Sequence, residues 1–426
     1  MVKKDLTLGI IIDTALKIPP NTGVTYRLYY LSKKLVQKGI NIKIFVCNRN
    51  FYNNEQIKEL LKEKSLEFHV IPEFIFYNTE KLGEIIKKGC IDILQVEDSV
   101  SVIRYEKIAK DLNVPICLEM HDVEATLLEN LKYEKKQIAS SIAISHLACI
   151  LSKKIICMTP LDRYELINKI GVDIKKLSLI PNPIDLIKFP YYGSNFKEKN
   201  VVFLGNMFYW PNQNAAKFIA QKLYPQINKN FKGIRFTFIG MVPENIKKRF
   251  SKNNLIFSGS ATGKNLNQLL KKSTIALCPV IEGSGMKVKI LNYCAAGLPI
   301  ITTQIGASGY EKITSLIVEN NLDKYQKIII DLLNNPNRMK LLGEKNRFFV
   351  KKYYSLDRIA NMAVQTYQDV IKNFHYRKTV LKTKKQIEPP LPLWLQEKRT
   401  KANPNKNYYL IKNGKILLQK RLDRII

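Results

Sequence analysis

Residues 274–304, TIALCPVIEGSGMKVKILNYCAAGLPIITTQ, constrain this chain more than any other stretch. Thr274–Cys278 is short, apolar and partly β-branched, as a buried parallel strand requires. The run breaks at Pro279, and Gly283, Ser284 and Gly285 follow. A helical pattern begins at once. Val288, Leu291 and Ala295 recur at helical spacing, with Ile290 and Cys294 beside them. Gly297 and Pro299 end it, and Ile300–Thr303 reads as the next strand. Strand, glycine-rich turn and helix N-terminus form the anion-binding arrangement of open α/β sheets. Lys287 and Lys289 stand at the expected helix start, where positive charge opposes the helix dipole. That placement is unfavourable unless an anion is present. A solvated basic turn in a very basic protein explains the same residues equally well on spacing alone.

The rest of the chain repeats the alternation of strand and helix. Leu6–Ile12 reads as a strand, followed by a loop with Thr22 and Gly23 and a helix with Leu28, Leu31, Leu35 and Val36 as its stripe. Ile40–Cys47, Phe68–Ile71, Ile91–Val96, Pro115–Met120 and Ile155–Thr159 are further strands, with helices expected at 53–64, 79–88 and from Ser101. His121 falls at the carboxyl end of one strand, beside Asp122 and Glu124, where sites gather in α/β folds. A helix start capped by Asp122 is the competing explanation. Pro181-Asn182-Pro183 makes a stiff turn, and a polar linker covers 186–199. Val201–Gly205 opens a second series, in which Phe208, Tyr209 and Trp210 are expected to plug the base of the domain, the alternative being a partly exposed aromatic that meets a base or an acceptor lipid. Helices are expected at 322–334, 336–354 and 356–373.

The string EGSGMKVKILNYCAAGLPIITTQIGASG resembles the donor-binding segment of retaining glycosyltransferases of the GT-B, family-4 type. It is most similar to the branch with a Gly-x-Gly turn followed by a basic residue, an aliphatic residue and lysine. The resemblance covers roughly residues 6–373. It implies two Rossmann-like α/β domains facing across a cleft: 1–185 on the acceptor side, 186–199 as linker, 200–355 for the nucleotide sugar, and 356–373 crossing back to the first domain. Gly283, Ser284, Gly285 and Lys287 would then face a donor diphosphate, with Lys289 as a second candidate and Gly23 reaching it across the cleft. His121 would approach the donor sugar or its phosphate, so His121 and Lys287 carry the catalytic expectation. Gly259 and its neighbours would pack on the base, and Gly306 would lie near the sugar. The family usually has a glutamate for the ribose hydroxyls where this chain has Asn292; Glu282 is a possible substitute at a different spacing. Pro183 likewise replaces a glycine of the family's interdomain turn.

Composition narrows the partners. The chain has 426 residues and 46% hydrophobic content, enough for two packed domains. Its 7 cysteines are scattered without a CxxC pair, as small hydrophobes in a reducing compartment would be. The 4 histidines have no metal-ligand spacing, and no metal or cofactor is expected beyond the nucleotide-sugar substrate. LTLGIIIDTAL is too short for a signal peptide and contains Asp13. A formal charge of +33, from 69 basic and 36 acidic residues, favours phosphate-rich partners. Nucleic acid is one such class, but no recognition motif supports it. The 374–426 tail carries 14 Lys/Arg against 3 Asp/Glu between Arg377 and Arg424. It also holds Asn413-Gly414 between apolar runs, a hairpin signal. An anionic membrane surface or a partner is its expected contact, with packing of its apolar run on the first domain as the competing reading; the expected location is the cytoplasm, with the inner face of the plasma membrane as an option. The family resemblance implies metal-independent, retaining hexosyl transfer to a sugar or lipid-linked glycan in polysaccharide or lipopolysaccharide synthesis. A catalytically weakened GT-B scaffold is the alternative that Asn292 permits.

Overall fold

A computed structural model describes residues 6–380, apart from 14–15, 17, 19, 21, 49–59, 61–62, 64 and 252–253. The expected helix at 53–64 falls almost wholly outside the described residues, and the tail hairpin entirely so.

Two wholly parallel sheets organise the chain. The first joins β1 (Leu6–Ile12), β2 (Ile40–Asn48), β3 (Glu67–Pro72), β4 (Ile93–Val96), β5 (Ile116–Met120), β6 (Lys154–Cys157) and β7 (Leu177–Leu179) in the order β3-β2-β1-β4-β5-β6-β7. The second joins β8 (Asn200–Leu204), β9 (Arg235–Ile239), β10 (Leu255–Gly259), β11 (Ile275–Cys278), β12 (Ile300–Thr302) and β13 (Ile317–Val318) in the order β10-β9-β8-β11-β12-β13. Strands buried on both faces explain the continuous apolar runs: β4, β5 and β11 are buried at every position. Each sheet is a Rossmann-like half, and the pair is the GT-B architecture. Strand order reverses between β1 and β4 and again between β8 and β11, which leaves a crevice at the carboxyl end of each sheet.

The helix Gly23–Gln37 starts on a capping box from Thr22 to Thr25. Its Leu28, Leu31 and Leu35 are buried, but Val36, expected in the same stripe, is exposed. The last helix, Leu356–Val380, belongs to the first domain's core: Ile359, Ala363, Tyr367 and Val370 pack with Leu8, Ile10 and Leu28. The chain therefore passes between domains twice, at residues 184 and 355, and the two passages pair with each other. The Ile184 amide donates to the Tyr354 carbonyl at 2.9 Å and the Leu356 amide to the Ile184 carbonyl at 3.0 Å. Among the described residues no helix is long and apolar enough to cross a membrane.

Candidate functional site

The loops that follow β8, β9, β10 and β11 surround a cavity of about 440 Å³, closed on the other side by Thr22 and Gly23 from the first domain. It lies where strand order reverses, the position that topology favours for ligands. A larger groove, about 730 Å³, lies at the opposite ends of the first sheet, beside Pro115 and Lys154, and holds none of the glycine loop.

The glycine loop is docked on the first domain. Asn130 Nδ2 donates to the Gly283 carbonyl at 3.3 Å, and the Asn182 amide to Met286 Sδ at 3.2 Å. Gly285 has φ +68°, and a Cβ there would lie 2.7 Å from the His121 carbonyl oxygen. Only glycine permits both that backbone and that approach.

Positive φ at Gly283 and Gly285 delays the helix, which spans Lys289–Ala296 with Val288 at its N-cap. This corrects the expected start: Lys287 precedes the helix instead of occupying its first turn. Its ammonium folds back and donates to the Ser284 and Gly285 carbonyls at 2.6 and 2.9 Å. Burial pushes the Lys287 pKa down, with the negative charges of Asp122 and Asp162 opposing. Lys289 is buried, donates to Asn212 Oδ1 at 2.7 Å and lies 4.4 Å above the Phe203 ring. Burial, with Lys287 nearby, pushes its pKa down to about 8. Asn292 is 7% exposed, lines the cavity, and its buried Oδ1 has no hydrogen-bond partner among the described residues. The buried Ser284 hydroxyl instead faces the Asp122 carboxylate and favours its charged form. An orphaned polar oxygen and two desolvated lysines around one cavity cost stability unless a ligand satisfies them.

Other expected residues are placed less directly. Gly259 ends β10, and the cavity wall begins one residue later at Ser260. Gly306 is a packing glycine: a Cβ would meet Thr302 Oγ1 at 2.2 Å. Glu282 accepts from Asn214 Nδ2 at 3.4 Å, away from Asn292. Phe208, Tyr209 and Trp210 do not plug the domain, because they ride on a turn at the carboxyl end of β8 and are 64, 41 and 54% exposed. Tyr209 faces the cavity.

His121 sits beside the glycine loop, its Nε2 2.8 Å from Glu97 Oε2. The helix after it begins at Glu124 with Val123 at the cap, so Asp122 is not the capping residue. Asp122 instead faces the loop, and burial raises its pKa, opposed by the charge of His121, a hydrogen bond from Ser284 and the charge of Lys287. Asp162 was not anticipated. It caps the helix Pro160–Asn168 with Thr159, lines a second cavity of about 500 Å³ beside Lys287, and is pushed by burial up to about 7. Its place at the carboxyl end of β6, after Thr159-Pro160, was the available signal. Glu97, Glu119 and His121 bring three ligand-capable atoms within 4.8 Å of one another. Arg27 and Gln95 already occupy oxygens of the two carboxylates, so the cluster is built as an ion-pair network.

Fold and cleft define a two-domain α/β protein with an interdomain cavity lined by Lys287 and Lys289. A family model described as Glycosyltransferase Family 4 matches residues 21–188, and one described as Glycosyl transferases group 1 matches residues 198–335. The chain belongs with the GT-B-fold glycosyltransferases related to these two families. An uncharacterized protein of the Klebsiella pneumoniae cps region is 23% identical over 239 residues, 54% of this chain and 57% of the relative. An Escherichia coli UDP-Gal:alpha-D-GlcNAc-diphosphoundecaprenol alpha-1,3-galactosyltransferase is 26% identical over 262 residues, 56% of this chain and 63% of the relative. Each alignment thus spans somewhat over half of the relative's length. Anabaena HepE, solved with UDP and glucose, shares the fold at TM-score 0.65 and 11% identity, covering 85% of this chain and 99% of that one.

Proposed function

We propose that the protein transfers a sugar from a nucleoside diphosphate to a glycan or lipid-linked acceptor, with retention at the anomeric carbon and without a metal. The observation that carries this reading is the unpartnered Asn292 oxygen in a cavity that also holds Lys289 and, from the glycine loop, Ser284, Met286 and Lys287. Asn292 would accept from a ribose hydroxyl. Lys287, Lys289 and loop amides would take the diphosphate charge that grows as the glycosidic bond breaks. His121 would steady the donor sugar or its phosphate, and no enzymatic nucleophile is assigned. UDP as the nucleotide is supported by the printed ligand of the Anabaena relative in fold and the printed donor of the E. coli relative. The latter's lipid-diphosphate acceptor and the Klebsiella relative's cps location support polysaccharide synthesis as the setting. The test is a thermal-shift screen against nucleoside diphosphates and their sugar conjugates, followed by transfer assays with the best donor. Stabilisation by none of them would reject the reading. Donor binding without transfer to any glycan acceptor would favour a weakened GT-B scaffold, the reading that the neutral Asn292 supports.

Binding should depend on pH. Lys289 is cationic below about 8 in the free protein, and a bound diphosphate raises that value. Donor affinity should therefore be highest below about pH 8 and fall above it, read by calorimetry from pH 6.5 to 9.5. Lys289→Met should flatten the profile.

Asn292→Ala should weaken nucleotide binding by about 0.5–1.5 kcal/mol, the net worth of one hydrogen bond. Asn292→Glu should hold the nucleotide equally or more tightly. If both bind like wild type, Asn292 does not touch the ribose.

The basic tail is proposed to hold the protein at an anionic membrane face, where lipid-linked acceptors reside. Vesicles containing anionic lipid should retain the full-length chain better than one ending at residue 376, and added salt should release it. Equal sedimentation of both forms would remove the tail from this role.

A further inference from the structure

Behind the glycine loop, the first domain holds a buried polar network that donor binding alone does not explain. It starts on the last helix. Tyr367 Oη donates to Gln95 Oε1 at 2.5 Å, and Gln95 Nε2 donates to Glu97 Oε1 and to Glu119 Oε2, each at 3.0 Å. Arg27 Nε donates to Glu119 Oε1 at 2.5 Å, and its Nη1 to the Pro181 carbonyl at 2.6 Å. Arg27 is 1% exposed and Glu119 3%. The network ends at His121, whose Nε2 lies 2.8 Å from Glu97 Oε2 and whose carbonyl abuts Gly285.

We propose that Glu97 is a positioning residue for sugar transfer: it grips the His121 imidazole at Nε2, fixes the ring's orientation and leaves Nδ1 as the nitrogen that meets the donor. The inference rests on the reading of the cleft as a sugar-transfer site. Three points support it. Glu97 cannot turn away, because Gln95 ties its other oxygen and Tyr367 in turn orients Gln95. A carboxylate accepts a hydrogen bond from Nε2, which sets the tautomer when the ring is neutral. Charge balance then favours the cation. Burial and the Glu119 charge push the Glu97 pKa up, while the hydrogen bond and charge of His121 and the Gln95 hydrogen bond oppose them; with Arg27 on Glu119, the Glu97 carboxylate is compensated when His121 is protonated. Burial by itself disfavours imidazolium, but the hydrogen bond and charge of Glu97, with Glu119 adding, outweigh it. The His121 pKa is therefore raised despite the opposing charge of Arg27. The groups that face the ring are Glu97 from the end of β4, Glu119 from β5, Arg27 from the helix Gly23–Gln37 and the adjacent Asp122. The last helix contributes only the neutral Tyr367 hydroxyl, through Gln95. A cationic ring with a fixed free N–H is suited to a developing phosphate charge.

The test follows the histidine ring signals of the full-length protein by NMR across pH, in wild type, Glu97→Gln and Glu97→Asp. The same variants are assayed for transfer over the same range. His69 and His146 lie elsewhere in the fold and serve as internal references. His121 should titrate above the ordinary histidine value of about 6.5 in wild type and fall by about one unit in Glu97→Gln. The alkaline limb of the kcat/KM profile should move down with it. At pH 7.5, kcat should drop about ten- to a hundredfold with little change in donor KM. Glu97→Asp should recover part of that loss. A merely structural Glu97 would lower stability and leave the limb in place. The proposal is overturned if wild-type His121 titrates at or below the ordinary value, a result that needs no variant to fold. It is also overturned if a folded Glu97→Gln leaves the His121 titration unmoved. A shifted His121 with an unmoved activity profile would overturn its role in transfer while leaving donor binding, and so the reading of the cleft, intact.

Discussion

Lys287→Ala should lower kcat/KM for sugar transfer on the order of a hundred- to a thousandfold, the cost of removing one charge-stabilising donor. Its effect on folding should stay within about 1 kcal/mol. The asymmetry follows from where the ammonium sits. In the ligand-free protein it donates only to the Ser284 and Gly285 carbonyls of its own loop, and burial works against its charge. Removing such a charge relieves a desolvation cost while giving up two local bonds. In the donor complex the same group would turn to the diphosphate, where its charge matters most as the leaving group departs. Lys287→Arg should fall between the two, keeping the charge but misplacing it. Steady-state kinetics and thermal melts on the same preparations check this. Wild-type turnover by a folded Lys287→Ala protein would assign the diphosphate to other groups.

Gly285→Ala should abolish most activity, by about a hundredfold or more, while both domains remain folded. Two separable penalties act at this position. The φ of +68° strains any residue with a Cβ, at roughly 1–2 kcal/mol. The new methyl would also stand 2.7 Å from the His121 carbonyl oxygen and 3.2 Å from Asp122 Cβ, so it wedges the domains apart. Gly259 separates the two penalties. Its φ is +74°, yet a Cβ there meets no heavy atom within 4 Å. Gly259→Ala therefore carries the strain without the wedge and should retain near-wild-type transfer. Solution scattering should report a more open molecule for Gly285→Ala only. Equal losses in the two variants would show that backbone strain, not interdomain contact, governs the loop.

The cleft loop illustrates how a reading from spacing succeeds and fails. Periodicity identified a glycine turn leading into a helix, because apolar positions at 3.6-residue intervals reflect burial of one face. It misplaced the first turn, since Lys287 and Val288 fit the period although the glycine conformations and the carbonyl contacts of Lys287 hold them outside it. The aromatics at 208–210 failed for the opposite reason. Hydrophobicity predicts burial only on average, and a turn at a strand's carboxyl end projects its side chains into the cleft or solvent.

By itself the sequence determined the succession of strands and helices, the two-domain α/β class and the glycine turn between β11 and the helix that follows it. Each of these is written in local pattern: apolar runs, helical period and glycine–proline punctuation. Only the tertiary structure decided which distant residues meet. Asn130 and Asn182 against the glycine loop, Asp162 beside Lys287, and the path from Tyr367 through Gln95 and Glu97 to His121 have no sequence period. They arise because parallel crossovers bring the carboxyl ends of β4, β5 and β6 side by side, and because the last helix returns to the first domain. Contacts of that kind depend on the path of the whole chain, so the pattern within any one segment cannot encode them.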